Sequence, residues 1–169
     1  MKTAWALSVA IGAALLPDFA FSIITNTLKA PNERFVLNAR QALIAVEAAS
    51  ANAFPSSIVV ADPYGIPIAV LRMDNAFIES YDTCVRKART VSLFNGAITS
   101  AELGPLVQPG SGEYGLETTN GGMLPIAGAV PIFINGTFFG AIGVCGGSGE
   151  EDVKAATAGV RAVGGTLTP

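Results

Sequence analysis

The chain has 169 residues, of which 10 are basic and 13 acidic, so its net charge is −3, and 50% of its side chains are hydrophobic. This length and composition predict one domain with a sizeable core, and they exclude a disordered chain. The acidic balance argues against nucleic-acid binding, which needs a surplus of Lys and Arg. The sequence contains no histidine. Its absence excludes Ser-His and Cys-His catalytic pairs, imidazole zinc sites and histidine-ligated haem.

Residues 1–22 have the composition of a secretory signal peptide. Lys2 gives a positive start, residues 4–16 are apolar and uncharged, and Ala20 and Ser22 are the small residues of a cleavage site. The apolar run is shorter than the roughly 20 residues that span a bilayer. We therefore predict a secreted protein without a stable membrane anchor, whose single mature domain covers residues 23–169. The alternative is a buried N-terminal helix.

The first half of the mature chain predicts a helix, a hairpin and a second helix. Apolar residues spaced by three and four favour a helix over 32–54, with Asn32 as its cap. Residues 57–61 and 66–73 read as two strands joined by a Pro-Gly turn, and residues 81–94 read as a helix. The predicted buried face of this second helix consists of Tyr81, Cys84, Val85, Ala88 and Val91.

Residues 95–128 are rich in glycine and proline and predict an ordered loop that contains one short helix, over residues 99–106. Such loops often carry function, but this one could also complete a subunit interface. Its apolar anchors are predicted to be Leu103, Leu106, Val107, Tyr114, Leu116, Met123 and Leu124.

The last part of the chain predicts a second hairpin and a closing helix. Residues 129–134 and 137–144 are strand-like and are joined by Asn135-Gly136, a pair that favours a two-residue hairpin turn. Residues 152–163 have the pattern of a helix. The complete order predicts an α+β single domain, in which an antiparallel sheet built from two hairpins is covered by helices.

Export would carry the two cysteines, Cys84 and Cys145, through an oxidising compartment. They are candidates for one disulfide, which would stabilise the fold by about 4 kcal/mol in the loop-entropy treatment. The alternative is two separate buried thiols. Asn135-Gly136-Thr137 is a candidate N-glycosylation sequon.

Four motifs, taken together and in order, resemble the GlcG/HbpS family of haem-binding and haem-degrading-type proteins, which also forms the C-terminal domain of PduO-type proteins. They are Arg72-Met73-Asp74-Asn75-Ala76, Lys87-Ala88-Arg89-Thr90, Gly121-Gly122 with the later Pro131-Ile132, and the run from Gly140 to Gly147. The resemblance covers residues 32–163. It implies a profilin-like fold, a homo-oligomer and a small-molecule ligand.

The sequence departs from the family pattern in ways that affect the ligand. Asn75 replaces a glycine, Cys145 replaces a serine, and no histidine is present to ligate haem iron. Haem is therefore a candidate cofactor only if Tyr, Cys or Met holds it, or if stacking and propionate contacts suffice. No metal site is predicted.

Three charged residues of these motifs are candidates for chemistry. Arg72 or Lys87 would pair with a ligand carboxylate, and Asp74 would act as acid or base. The structural alternative is that Asp74 caps the following turn, while Lys87 pairs with Asp82 or Glu79 on the surface.

Further candidates for the ligand pocket come from the motifs and from the long loop. For Met73 the alternative role is core packing. For Cys145 a structural role is favoured over a nucleophilic one, because no histidine is available to activate it. The predicted ligand-binding residues are Met73, Asn75, Thr90, Tyr114, Glu117 and Gly122.

These observations favour a secreted protein that holds haem or another flat, apolar ligand near residues 72–75. The alternative is a cofactor-free isomerase, lyase or cyclase acting on an apolar carboxylate-bearing metabolite, with Asp74 moving a proton and Lys87 or Arg72 stabilising an oxyanion. A third hypothesis is a structural oligomer.

Overall fold

The computed structural model describes residues 35–169 of the chain. The predicted signal peptide and the predicted cap Asn32 lie outside the described residues. The elements in chain order are α1 (Ala39–Ser50), β1 (Ser57–Ala61), β2 (Pro67–Arg72), α2 (Ser80–Leu93), α3 (Ser100–Leu106), a 3₁₀ turn (Leu116–Thr118), β3 (Ala129–Ile134), β4 (Thr137–Cys145) and α4 (Gly149–Ala162).

The four strands form one antiparallel sheet in the order β2-β1-β4-β3. Each predicted hairpin is present, and β1 of the first pairs with β4 of the second. At the β3–β4 turn, Asn135 and Gly136 have φ values of 50° and 75°. Both lie in the left-handed region that a two-residue hairpin turn requires. The prediction of an α+β domain built on two hairpins is confirmed.

The first helix is shorter than predicted. It begins at Ala39, because the side chain of Asn38 accepts a hydrogen bond from the backbone N–H of Gln41 and the Gln41 side chain accepts one from the backbone N–H of Asn38. This reciprocal capping fixes the start of the helix. The sequence pattern predicted a longer helix, over residues 32–54, because the apolar spacing continues on both sides of the capped segment.

Helices cover the two faces of the sheet unequally. The first face carries α1 and α4, and α2 lies on the second face. Buried residues of the first layer include Ala45, Ile58, Val60, Ile132, Ile142, Val144, Ala156 and Val160. Buried residues of the second layer are Val59, Ala61, Cys84, Ala88, Val91, Ala129, Ala141 and Cys145.

The long loop has a small core of its own, formed by buried Leu103, Val107 and Met123. Two predicted anchors, Leu116 and Leu124, are half-buried, and two are exposed: Leu106 is 45% exposed and Tyr114 is 63% exposed. Loop hydrophobicity alone does not distinguish an inward side chain from an outward one, because the backbone has no fixed period there. No helix within residues 35–169 is both long enough and apolar enough to cross a membrane.

Three helices begin with a capping box, and in two of them, α3 and α4, the capping side chain is a glutamate that responds to acid. Hydrogen bonds from the backbone N–H and hydroxyl of Thr99 lower the pKa of Glu102 below its ordinary value of 4.5, and Ser148 does the same for Glu151. A lowered carboxylate pKa adds stability above the unfolded-state pKa, and this stability is lost as pH falls through the folded-state pKa.

We therefore expect a variant with Glu102→Gln and Glu151→Gln to lose less stability than the wild type between about pH 6 and about pH 3. Glutamine still accepts the capping hydrogen bonds but does not titrate. Urea unfolding followed by circular dichroism at each pH measures the difference. Parallel stability curves for the two proteins would contradict this expectation.

Candidate functional site

Strand β2 is an edge strand, and part of it is left uncovered on the second face of the sheet. Helix α2 packs against β1, β4 and β3. Val70 and Arg72 of β2 pair with Val59 and Ser57 of β1, both of which face α2. Paired residues of adjacent strands point to the same face. Val70 and Arg72 therefore point to the α2 side of the sheet, where both are exposed.

One side of α2 faces this uncovered strand. The Ser92 hydroxyl donates to the carbonyl of Asp62, at the start of the turn that leads into β2. Tyr81 and Val85 lie about three and two helical turns before Ser92, so they occupy the same side of the helix. Tyr81 is 47% exposed and Val85 is half-buried. We call the surface formed by Val70, Arg72, Tyr81 and Val85 the β2 trough.

Polar and aromatic groups lie at the two ends of the trough. At one end, Nη2 of Arg72 donates to the carbonyl of Ala76 at 3.1 Å, and the following Phe77 is 69% exposed. At the other end, the side chain of Arg89 packs against Gly65 in the β1–β2 turn. The guanidinium of Arg89 lies beside Gly121 of the long loop, so Arg72 supplies the positive charge at the trough. An apolar surface beside a cation is the combination that a flat molecule with a carboxylate requires.

Of the predicted residues at the end of β2, two are exposed to solvent and a third packs against the core. Asp74 and Asn75 are exposed. Asn75 has a φ of 65°, which explains how an asparagine replaces the glycine of the family pattern. Met73 packs against the core on the α1–α4 side of the sheet. The structure therefore supports the core role that was the alternative for Met73.

Lys87 forms a buried ion pair, which corrects the surface alternative for this residue. Its Nζ atom lies 3.2 Å from Oδ2 of Asp152 and 3.4 Å from the carbonyl oxygen of Val144, and its side chain is 5% exposed. The predicted surface partners bond elsewhere: Asp82 pairs with Arg86, and Glu79 accepts from the Thr83 hydroxyl. Since Asp152 belongs to α4, the pair links helices on opposite faces of the sheet.

The Asp152 carboxylate is held from two sides. Oδ1 accepts from the backbone N–H of Gly147 at 2.9 Å, while Oδ2 faces Lys87. Burial raises the pKa of Asp152 above its ordinary value of 3.8, and the hydrogen bond from Gly147 and the charge of Lys87 oppose that rise. Lys87 is therefore occupied by a structural partner and does not point into the β2 trough.

Two more predicted ligand residues tie α2 to the long loop. The Thr90 hydroxyl donates to the Arg86 carbonyl and accepts from the backbone N–H of Leu124, both at 2.8 Å. Gly122 lies beside the Arg86 guanidinium. These contacts lie on the side of α2 opposite Tyr81. Thr90 and Gly122 therefore do not lie beside Arg72 in the β2 trough.

The loop residues Tyr114 and Glu117 have separate surroundings. Tyr114 is 63% exposed, and the carboxylate of Glu117 accepts from the backbone N–H of Gly115. The predicted site residues therefore fall into three groups: the turn after β2, the buried ion pair, and the loop. The predicted pocket that unites all three is not formed by these contacts.

Sequence reasoning missed the apolar part of the trough. The sequence predicts Tyr81 and Val85 on the buried face of the helix, because their spacing matches that of Cys84, Ala88 and Val91. The available signal was the alternation along β2, where Val70 shares a face with Arg72. That alternation suggests a strand face in contact with solvent.

Comparison with known proteins assigns the family. The family described as haem degrading protein HbpS-like matches residues 38–161. The chain belongs to the HbpS-like family. This membership confirms the resemblance seen in the sequence motifs.

Two similar proteins illustrate the range of this family. An uncharacterised 15.0 kDa protein from the dhaT-dhaS intergenic region of Citrobacter freundii is 37% identical over 99 residues, which are 58% of this chain and 68% of that protein. The corrinoid adenosyltransferase PduO of Salmonella typhimurium is 31% identical over 120 residues. That alignment covers 70% of this chain but 35% of PduO, so the chain matches about a third of that enzyme.

The fold is shared with a solved structure of this family. The crystal structure of a PduOC–haem complex superposes with a TM-score of 0.73 at 27% identity, and the match covers 79% of this chain and 99% of that one. The α+β architecture of this HbpS-like chain is therefore that of its structural relatives.

Proposed function

We propose that this HbpS-like chain binds haem, or another flat apolar molecule that carries a carboxylate, in the β2 trough. Family membership and the structural likeness to a haem complex support a small-molecule ligand. The observation that carries the location is the exposure of Val70 and Tyr81 beside Arg72. Exposed apolar side chains beside a cation are typical of a binding site.

The side chains near the trough fit haem without histidine. Tyr81 offers a phenol oxygen, a ligand type known for haem iron, and its ring also offers a stacking surface. Arg72 is the cation beside Tyr81 that would pair with a propionate. The sulfur ligands are less suited: Met73 packs on the other face of the sheet, and Cys84 and Cys145 are buried.

Haem titration of the full chain, followed by Soret absorbance, tests the proposal. Arg72→Ala removes one charge-assisted hydrogen bond and is expected to weaken binding by about 10- to 100-fold. Val70→Glu places a charge on the apolar floor and is expected to abolish binding. Arg161→Ala is the matched control, because Arg161 is an exposed cation on α4, across the sheet.

Tyr81→Phe separates ligation from stacking. Loss of the phenol oxygen should shift the Soret band if Tyr81 ligates the iron, whereas stacking alone leaves the band in place. Equal affinities for the wild type, the Val70→Glu variant and the Arg161→Ala variant would place the ligand elsewhere. A chain that shows no Soret band at all would overturn haem as the ligand.

The enzymatic alternative has less support from this geometry. Its mechanism needs a cation near Asp74, and the ammonium group of Lys87 is buried against Asp152. Arg72 remains, but its guanidinium also donates to the carbonyl of Ala76. A proton-transfer role for Asp74 therefore rests on one arginine on an exposed turn.

We also propose that the protein is secreted and assembles as a homo-oligomer. The composition of residues 1–22 supports export, and N-terminal sequencing of the protein from its own host would reveal cleavage after Ser22. Asn135 is exposed in the β3–β4 turn, which supports a glycan at this sequon. Native mass measurement before and after glycosidase treatment tests both the assembly and the glycan.

A further inference from the structure

The two cysteines lie next to each other where α2 crosses the end of β4. The Cys84 thiol donates to the carbonyl of Ser57 at 3.1 Å, and Ser57 pairs directly with Cys145 in the β1–β4 ladder. Cys84 and Cys145 also belong to the same buried cluster on the second face of the sheet. Both side chains are buried, at 0% and 3% exposure, and both are free thiols in the structure.

We propose that Cys84 and Cys145 are oxidised to an intramolecular disulfide that joins α2 to β4. Two buried thiols that share Ser57 as a neighbour and pack in one layer need only a small movement to approach bonding distance. The bond would fix α2 on the second face of the sheet, beside the β2 trough. This proposal does not depend on the ligand, because neither cysteine points into the trough.

The chemistry is a thiol–disulfide exchange with a small-molecule disulfide such as oxidised glutathione. One cysteine thiolate attacks a sulfur of glutathione disulfide and releases one glutathione thiolate. The other cysteine thiolate then attacks the mixed disulfide and releases the second glutathione. The protein loses two protons and two electrons, and the glutathione disulfide gains the two electrons as it becomes two thiols.

Burial determines when this exchange takes place. Desolvation raises the pKa of Cys84 well above its ordinary value, and the neighbouring Cys145 adds to this rise. Few thiolates are therefore present in the folded protein, and glutathione cannot reach the pair without local opening. Oxidation should be fast while the chain folds and slow after folding is complete.

The test refolds the reduced, full-length chain from denaturant in a mixture of oxidised and reduced glutathione. The sample is quenched with acid, unfolded and alkylated, and its intact mass is measured by mass spectrometry. The expected product carries no alkyl group and is lighter than the reduced chain by two hydrogen atoms. After reduction it takes up two alkyl groups. Cys84→Ser and Cys145→Ser variants, treated alike, should each take up one alkyl or glutathionyl group.

The same assay on folded, reduced protein should show slow oxidation that accelerates in mild denaturant. Two alkyl groups on the refolded wild type, two glutathionyl groups, or a disulfide-linked dimer would each overturn the proposal. The result does not require the variants to fold, because the wild-type mass alone decides it. As a second readout, reductant should lower the melting temperature of the oxidised wild type and leave that of Cys145→Ser unchanged.

Discussion

Replacing Lys87 by methionine is expected to lower the free energy of unfolding by about 3–5 kcal/mol, because it leaves the Asp152 carboxylate buried without its cation. The pair is almost inaccessible to water, with side-chain exposures of 5% and 4%. A charge stranded in such surroundings costs far more than the pair itself contributes. Urea unfolding followed by circular dichroism measures the loss.

The structure offers a matched control one residue away. Arg86 and Asp82 form an exposed ion pair on α2, with side-chain exposures of 48% and 71%. Arg86→Ala should therefore cost only about 0–1 kcal/mol. The double variant Lys87→Met with Asp152→Leu should recover a large part of the single-variant loss, since it removes both charges. Equal losses for Lys87→Met and Arg86→Ala would contradict the burial of the pair.

Replacing Gly140 by alanine is the second change with a large expected effect, a loss of about 2–6 kcal/mol from backbone strain and crowding. Gly140 has a φ of 133°, which disfavours any side chain. A Cβ atom at this position would also collide with the carbonyl of Ala61 on the neighbouring strand. Neither atom belongs to a flexible side chain, so the clash cannot relax without breaking the β1–β4 ladder.

Gly112→Ala is the control for this prediction. Nothing lies within 4 Å of a Cβ atom added at Gly112, so the change should alter stability by less than about 0.5 kcal/mol. The two variants differ in position and not in chemistry. Equal melting temperatures for both would show that β4 adjusts at Gly140 and that the crowding argument is wrong.

The same reasoning explains the glycines in the family motif that runs from Gly140 to Gly147. A Cβ atom at Gly143 would lie 2.8 Å from the backbone oxygen of Cys84, and one at Gly146 would lie 2.5 Å from that of Pro55. The motif therefore marks places where β4 and its continuation run against other backbone segments. Close packing of backbone segments explains these glycines.

The sequence by itself determined the order and type of the elements. The strands β1 and β3 have the predicted bounds, and Asn135-Gly136 turns as expected. These features depend on neighbouring residues, since strand propensity and turn geometry act over a few positions. The helix starts were less accurate, because side-chain caps such as that of Asn38 decide them.

Only the tertiary structure decided the surroundings of the functional candidates. Lys87 meets Asp152 across 65 residues of sequence, and no local pattern indicates that partner. The sheet order makes β2 an edge strand, and α2 packs on the other three strands, so Val70 and Arg72 stay exposed. The physical reason is that residue spacing specifies which side of an element is apolar, whereas burial and ion pairing depend on which other elements pack against that side.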